Sequence, residues 1–258
     1  MCDTIQKSGG DSAVVRIHNK DKAIAISVDS SANYCKADPK LGGKQIVCEN
    51  WRNLISVGAK PLAITNCLNF GNPEKPKIMG EFIECVYGIK EACEFLDFPV
   101  VSGNVSFYNE TNTKSIFPTP VIGGIGVLNN LKKIMNIKTK KPGNLIMVIG
   151  KTFGHLNQSA FLQENFSICD GPPPEINLIN EKNNGLAILK LIKENFILSV
   201  HDVSSGGILL SLTEMSMASK LGVKIYKPKK LINPLEYFFG EDQGRYLVEI
   251  EKNNLNKI

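Results

Sequence analysis

The segment SGNVS, residues 102–106, follows the apolar run FPVV and carries residue types suited to binding a nucleotide. Glycine lets the backbone approach a ligand closely, and the amide oxygen of Asn104 is a ligand that Mg²⁺ accepts. Because residues two apart share one face of a strand, we expect Asn104 and Ser106 to face a single site. The segment fits a corner that holds Mg²⁺ and nucleotide phosphates. It also fits an ordinary turn or bulge, since Gly and Asn tolerate positive φ.

A second polar segment, TNCLNFGNPEKP at residues 65–76, places Asn66, Asn69 and Asn72 around Gly71. Amide side chains both donate and accept hydrogen bonds, so they can contact a base, a ribose or a metal-bound phosphate. The alternative is an Asn-rich connector that caps the helix predicted from residue 77.

Two further segments combine acidic and small residues. HDVSSGG, residues 201–207, follows a predicted strand and opens a predicted helix. Asp202 or Ser204 can cap that helix, and its N-terminus can hold an anion. FGEDQGR, residues 239–245, is equally compatible with a solvated turn. The sequence has no G-x-x-x-x-G-K-[ST] or G-x-S-x-G motif and no spacing that singles out a catalytic triad.

The composition is that of an ordinary globular protein, with 258 residues of which 43% are hydrophobic and 21% charged. The net charge is only +5, and the lysines form no basic stripe, so the sequence predicts no nucleic-acid partner. Small anionic molecules remain compatible with this charge. No apolar run approaches the roughly 20 residues that span a bilayer, which predicts that the chain has no membrane segment.

Cysteine and histidine usage bears on the compartment. The seven cysteines include no C-x-x-C pair, and this pattern favours reduced cytosolic thiols over a disulfide framework or a zinc site. The three histidines are too scattered to indicate a metal cluster. Since the N-terminal residues also lack the features of a signal peptide, the sequence predicts a cytoplasmic protein.

The elements that position these segments are predicted from periodicity and from turn-forming residues. AVVRI and KAIAISVD predict a β-hairpin, residues 30–43 a long loop, and residues 44–57 a helix that ends before Gly58. The predicted elements that follow are the strand KPLAIT, the Asn-rich loop, a helix over about 77–96, and the strands FPVVSG, NVSFYN and TPVIGGIGVL. Strands and helices interleave without strict alternation, which predicts an α+β fold with a mixed α/β arrangement.

A basic stretch near residue 140, IKTKKPGN, is predicted to separate two domains, residues 1–140 and 141–258. The second domain is predicted to contain the strand LIMVIG, a helix around 181–195, the strand ILSVHD, a helix over about 206–220, and the strands VKIY and RYLVEI. No short repeat or low-complexity segment interrupts either domain.

The chain resembles one enzyme family in six segments that occur in the family's order. They are GDSAVVRI, KLGGKQIVCENWRNLISVGAKPLAITNCLNFGNPEKP, ACEFLDFPVVSGNVSFYNET, FPTPVIGGIGVL, HDVSSGG and FGEDQGRYLVEI. The chain looks like the C-terminal half of the bacterial-type phosphoribosylformylglycinamidine synthase subunit of purine biosynthesis. This family belongs to the superfamily of aminoimidazole ribonucleotide synthetase. The resemblance implies a second A-type domain over 1–140 and most of a second B-type α/β domain over 141–258, without the first A–B pair.

The resemblance implies an ATP-dependent carbon–nitrogen ligase that converts formylglycinamide ribonucleotide to formylglycinamidine ribonucleotide and uses Mg²⁺. It also implies a glutaminase subunit that supplies ammonia and a small bridging subunit. The family's catalytic histidines lie in the half that is missing here, so the resemblance implies that this chain alone is inactive. The alternative is a non-catalytic half that binds an inert nucleotide and serves subunit assembly.

The resemblance also assigns roles to single residues. It implies ATP contacts for Asn66 and Gly103, a Mg²⁺ ligand in Asn104 and a substrate contact in Ser106. Many relatives carry Asp at the position of Asn66, and the amide found here keeps the hydrogen bonding but loses the charge.

The two halves of the family's subunit are related by pseudo-symmetry, and this implies a second role for three acidic residues. Asp29, Asp202 and Glu241, the last in the segment EDQ, correspond to working metal and substrate positions of the first half. In this half they are predicted to form an auxiliary or vestigial nucleotide pocket.

Overall fold

The computed structural model describes residues 3–6, 9–226 and 233–257. Strands and helices interleave in these ranges without a strict βαβ order, which is the mixed α/β arrangement predicted from the sequence. Every cysteine of the described ranges is a free thiol. None of the described helices is both long enough and apolar enough to cross a membrane.

The N-terminal part is built on a five-stranded sheet. Its strands are β1 (Ala13–Arg16), β2 (Ala23–Asp29), β3 (Lys60–Asn69), β4 (Val100–Ser106) and, after the short hairpin of β5 (Glu110–Thr111) and β6 (Lys114–Ser115), β7 (Thr119–Leu128). Their order across the sheet is β1-β2-β7-β3-β4. Only β3 and β4 pair in parallel, so the carboxyl ends of these two strands meet at one end of the sheet, with β4 at its edge.

The first two helices, α1 (Ala32–Ala37) and α2 (Pro39–Ser56), replace most of the loop predicted over residues 30–43, so that prediction is wrong. Asp38 caps α2 by accepting a hydrogen bond from the backbone of Leu41 at 2.9 Å. Gly43 lies where an added Cβ would be 2.4 Å from the carbonyl oxygen of Cys85. Gly42 and Gly43 therefore allow close packing between helices. Short-range sequence patterns do not distinguish such glycines from the glycines of a loop.

The ends of the long helices follow the sequence closely. Helix α2 ends at Ser56, and Gly58 takes φ +86°, as predicted for a glycine that terminates a helix. Helix α3 (Pro76–Leu96) confirms the helix predicted over residues 77–96, and the left-handed Asp97 ends it.

Strands β3 and β4 differ from the prediction in a way that matters for the site. Strand β3 continues to Asn69, so Asn66 and Asn69 lie on a strand and not in a loop. Strand β4 runs through Ser102, Gly103 and Asn104 without a break, and the one register irregularity lies earlier, opposite the Ile64/Thr65 step. Pairing with β7 on one side and β4 on the other satisfies the backbone of β3, which a local pattern cannot reveal.

The C-terminal part contains a three-stranded sheet with the order β8-β10-β9. Its described elements are β8 (Leu145–Ile149), α4 (Ala160–Phe166), α5 (Leu178–Lys193), β9 (Ile197–Asp202), α6 (Gly207–Ser219), α7 (Pro234–Phe239) and β10 (Tyr246–Ile250), followed by a 3₁₀ helix at Lys252–Lys257; another 3₁₀ helix, Leu131–Lys133, precedes β8. The strand predicted over VKIY, residues 223–226, is wrong, because no described strand pairs with it.

The two faces of the five-stranded sheet have different surroundings. One face packs against α2 and α3 through buried residues such as Ile64, Leu68 and Ile122. The opposite face carries exposed apolar side chains, with Val28 exposed by 67% and Ile125 by 46%. We call the second one the open face, and no described part of the chain covers it.

Candidate functional site

Gly103 lies on the edge strand β4 directly beside Asn66 of β3. A Cβ added to Gly103 would be only 2.1 Å from Oδ1 of Asn66, so the two positions fit together only if residue 103 has no side chain. This close approach is the reason for a glycine in the middle of a strand, where it is otherwise unfavourable. The backbone of β4 is thereby left accessible at the point where Asn66 lies beside it.

The residues predicted for the site fall on both faces of the sheet. Asn66 alternates with the buried Ile64 and Leu68 and lies on the face toward α3, where it lines a groove of about 380 Å³. Asn104 and Ser106 lie on the open face, as does Ser102, whose hydroxyl is 2.7 Å from that of Thr65. A ligand that contacts all the predicted residues must therefore pass around the sheet edge at Gly103.

The open-face side of this site is polar and accessible. Asn104 is exposed, and its amide has no hydrogen-bond partner within the described residues. Its neighbour across the strands is Cys67, an exposed free thiol. Beyond it Asn69 pairs with Ser106 and donates to the carbonyl oxygen of Thr119 at 3.1 Å.

The loop after β3 is fixed by Glu110, a residue that no sequence motif indicates. Its carboxylate accepts hydrogen bonds from Lys75 Nζ at 2.6 Å, Ser115 Oγ at 2.7 Å and the backbone of Asn72 at 3.2 Å. The hydrogen bonds from Lys75 and Ser115 hold the pKa of Glu110 below its ordinary value. The carboxyl ends of β3 and β4 are therefore joined by a network that keeps the site in place.

A second cluster joins the two parts of the chain around the fully buried Arg52 of α2. Its guanidinium donates to Glu181 of α5 at 2.7 Å, to Gln243 at 2.8 Å and to Asp202 of β9 at 3.4 Å. Burial raises the pKa of Glu181, and the contact with Arg52 opposes this effect. Arg52 lies within a predicted amphipathic helix, and local patterns do not indicate partners so far along the chain.

Two carboxylates near Arg52, those of Asp29 and Glu49, accept hydrogen bonds from neutral side chains and form no ion pair within the described residues. Asp29 accepts hydrogen bonds from Ser27, Asn50 and Asn53 at 2.6–2.8 Å, and burial raises its pKa to about 6. Glu49 accepts a hydrogen bond from Gln45. Burial, with a contribution from the Asp202 charge, raises the pKa of Glu49 to about 8.

The segment FGEDQGR is not a solvated turn, since Glu241 and Asp242 are buried. Glu241 accepts hydrogen bonds from Tyr34 Oη at 2.6 Å and from the backbones of Ala160 and Gly206 at 2.8 Å. It therefore occupies the N-termini of α4 and α6, where Asp202 or Ser204 was expected to cap α6. An auxiliary nucleotide pocket at Asp29, Asp202 and Glu241 stays a prediction, and the backbone N–H groups of Ala160 and Gly206 already donate to Glu241.

His201 is held between two carboxylates. Its Nδ1 is 2.7 Å from Asp11 and its Nε2 is 2.8 Å from Glu214. Burial lowers the pKa of His201, but the Asp11 and Glu214 carboxylates outweigh burial and raise it to about 11. One ligand atom each of Asp11, Asp202 and the His201 ring lie within 4.8 Å of one another. Both ring nitrogens face carboxylate oxygens at hydrogen-bond distance, which favours the charged ring and makes His201 a link between Asp11 and Glu214.

We expect the free energy of unfolding to fall as the pH rises from about 4.5 to about 8, in part through Glu49. The folded chain keeps a proton on Glu49 over this range while the unfolded chain releases it, so the folded state binds more protons and loses stability as pH rises. Urea unfolding on either side of this range measures the slope. Glu49→Gln should flatten it, whereas Glu94→Gln, at an exposed carboxylate, should not. An unchanged slope in Glu49→Gln contradicts the prediction.

The fold and the site define a class of protein. The chain belongs to the AIR synthase related proteins, because the model of their N-terminal domain matches residues 9–128 and the model of their C-terminal domain matches residues 141–258. Within this class it is similar to the phosphoribosylformylglycinamidine synthase subunit PurL of Pelagibacter ubique, with 60% identity over 255 residues that cover 99% of this chain and 35% of the relative. PurL of Azorhizobium caulinodans is 50% identical over 254 residues, which are 97% of this chain and 34% of that protein.

Solved structures give the same assignment. Thermotoga maritima PurL complexed with ATP superposes with a TM-score of 0.67 at 29% identity, over 97% of this chain and 36% of that one. The same protein complexed with FGAR superposes with a TM-score of 0.68 at 29% identity, over 97% and 35% of the two chains. The HypE–HypF complex shares the fold, with a TM-score of 0.71 at 21% identity over 96% and 80% of the chains. The chain thus spans about 35% of the length of the curated relatives that it matches.

Proposed function

We propose that this chain supplies part of the ATP site of a phosphoribosylformylglycinamidine synthase, which forms the amidine of formylglycinamide ribonucleotide from ATP and ammonia. The observation that carries the proposal is the close fit of Gly103 against Asn66, because a Cβ added to Gly103 would lie 2.1 Å from Oδ1 of Asn66. Gly103 lies on an edge strand, and Asn104 and Ser106 lie on the open face of the same strand. Relatives of the same family bind ATP and FGAR in solved structures. We also propose that the chain is divided into two domains, residues 1–140 and 141–258.

In this proposal each site residue has one role. Asn66 and Gly103, which are paired across β3 and β4, contact ATP at the strand edge, and Ser106 on the open face contacts the ribonucleotide. Asn104 fits a Mg²⁺ ligand, because its amide is exposed, has no partner within the described residues and offers the hard oxygen that Mg²⁺ prefers. When bound, the ion offsets negative charge on the phosphoryl group that is transferred.

In this proposal the chain contributes to the reaction by positioning ATP and the ribonucleotide and by offsetting negative charge on the phosphoryl group. ATP phosphorylates the amide oxygen of the ribonucleotide, and ammonia then displaces phosphate to leave the amidine. The edge strand contributes by holding ATP and substrate at the carboxyl ends of β3 and β4, where the Glu110 network fixes the backbone. Binding both molecules in a fixed geometry lowers the entropic part of the barrier.

The open face is where the rest of the synthase binds in this proposal. Its exposed apolar residues, among them Ile26, Val28 and Ile125, form a surface larger than single scattered side chains on a monomer. The remainder of the PurL-type subunit covers it, and a glutaminase subunit with a small bridging subunit supplies the ammonia. The reaction takes place in the cytosol.

We expect this chain alone to form no formylglycinamidine ribonucleotide when ATP, Mg²⁺ and ammonia are supplied, because no complete catalytic constellation lies among its described residues. Combined with the portion of the subunit that the relatives carry in addition, it should restore product formation. Chromatography of the ribonucleotides measures both reactions. Restored binding without turnover supports the assembly role instead, and steady product formation by this chain alone contradicts the proposal.

A further inference from the structure

Asn109 lies at the turn where the chain leaves β4, and its side chain contacts the ends of both parallel strands. Its Nδ2 donates to the carbonyl oxygens of Phe70 and Ser106, both at 2.9 Å. The same nitrogen is 3.2 Å from the hydroxyl oxygen of Ser106. One amide therefore holds together the end of β3, the end of β4 and the side chain of Ser106.

The backbone of this turn brings Asn109 back toward Ser106. Tyr108 takes φ +59°, a conformation that residues other than glycine seldom adopt. The backbone nitrogens of Tyr108 and Asn109 donate to Gly71 and Phe70 at 3.0 and 3.2 Å, and these bonds compensate for the strain. Strained residues that the surroundings hold in place are typical of functional sites.

We propose that Asn109 is a positioning residue that fixes the hydroxyl of Ser106 for the ribonucleotide; the proposal rests on the substrate role of Ser106 in the proposed function. Both hydrogens of Nδ2 are directed at the carbonyl oxygens of Phe70 and Ser106 at 2.9 Å, so the hydroxyl of Ser106, 3.2 Å from Nδ2, donates to Oδ1 of Asn109 at 3.4 Å. In this arrangement Asn109 holds the proton of the hydroxyl, and the lone pairs of Oγ stay free. Ser106 then offers an acceptor to a hydrogen-bond donor of the ribonucleotide.

A double-mutant cycle tests the coupling in the reassembled enzyme, with ammonia as nitrogen donor. Asn109→Ala is expected to raise KM for formylglycinamide ribonucleotide about 5- to 10-fold, the effect of one hydrogen bond, and to leave the Mg²⁺ requirement unchanged. In the Ser106→Ala background the same change should have no further effect on KM, because residues that act as a unit are not additive. Tyr108→Phe is the matched control, since it removes only the exposed hydrogen bond from the phenol to Glu74 at 3.3 Å and leaves Ser106 and the backbone of the turn in place.

Each outcome bears on a separate part of the assignment. Equal effects of Asn109→Ala in both backgrounds, or no effect in the wild type, overturn the positioning role while the proposed function stands. An unchanged KM in Ser106→Ala overturns the substrate role of Ser106 and the positioning role together. Melting curves of all variants show whether a loss of folding accounts for a change, and Asn109→Ser provides a smaller perturbation that retains one donor.

Discussion

Replacement of Arg52 by alanine is expected to lower the free energy of unfolding by about 3–5 kcal/mol, the cost of breaking a buried ion pair from one side. Glu181 would then be left buried without its ion-pair partner, and the equally buried Asp202 would lose its contact with the guanidinium. Gln243 would also lose its donor at 2.8 Å. The penalty comes mainly from these uncompensated partners and less from the arginine itself.

Urea unfolding at neutral pH measures the effect of Arg52→Ala. Because Arg52 joins α2 to α5 and β9, we expect the midpoint of the unfolding transition to move to a lower urea concentration. Lys90→Ala is the matched control, because its pair with Glu94 at 3.8 Å is exposed and such pairs contribute about 0–1 kcal/mol. A loss in Arg52→Ala no larger than that of the control contradicts the role of the cluster.

Asn104→Ala is expected to lower turnover of the reassembled enzyme by about 100-fold and to raise the Mg²⁺ concentration required for half-maximal rate. Removing one group that stabilises charge in a transition state has effects of this size. An asparagine that only served a turn would change stability by about 0.5–2 kcal/mol and leave the kinetics unaltered. A Mg²⁺ titration of the initial rate, with melting curves as a check on folding, separates the two roles.

Two further variants sharpen this measurement. Asn104→Asp restores an oxygen ligand and adds charge, so part of the activity should return. Val105→Ala changes an exposed neighbour on the opposite face of the same strand, and we expect it to keep wild-type turnover and Mg²⁺ dependence. Wild-type kinetics in Asn104→Ala would show that Asn104 is not a metal ligand.

Local sequence patterns correctly predicted the strands and helices whose ends are determined by neighbouring residues. The strand over Ile197–Asp202 and the helix that ends before Gly58 are found where the sequence predicts them. The loop predicted over residues 30–43 failed because its glycines serve packing between helices: Gly42 lies against Cys35 of α1, and Gly43 lies against Cys85 of α3, which a window of neighbouring residues does not contain. The strand predicted at VKIY failed for the related reason that a strand requires a partner.

The candidate site also combines features that local sequence patterns predict with features that depend on the fold. Period-two alternation alone places Asn104 and Ser106 on one face, and the structure confirms it. The contact of Gly103 with Asn66 depends on parallel pairing between strands separated by a 21-residue helix, so spacing could not show it. Arg52 meets partners that lie 129 to 191 positions further along the chain, and only the fold brings them together.

Transfer of the substrate's amide oxygen to inorganic phosphate tests the proposed ligation most directly. Formylglycinamide ribonucleotide with heavy oxygen in that amide is incubated with ATP, Mg²⁺ and ammonia, using this chain, the remaining portion of the subunit, or both. Only the combined enzyme is expected to move the label, with one labelled phosphate for each amidine formed, because phosphorylation on oxygen precedes its displacement by ammonia. Label released to water, or equal transfer when this chain is omitted, would contradict the assignment.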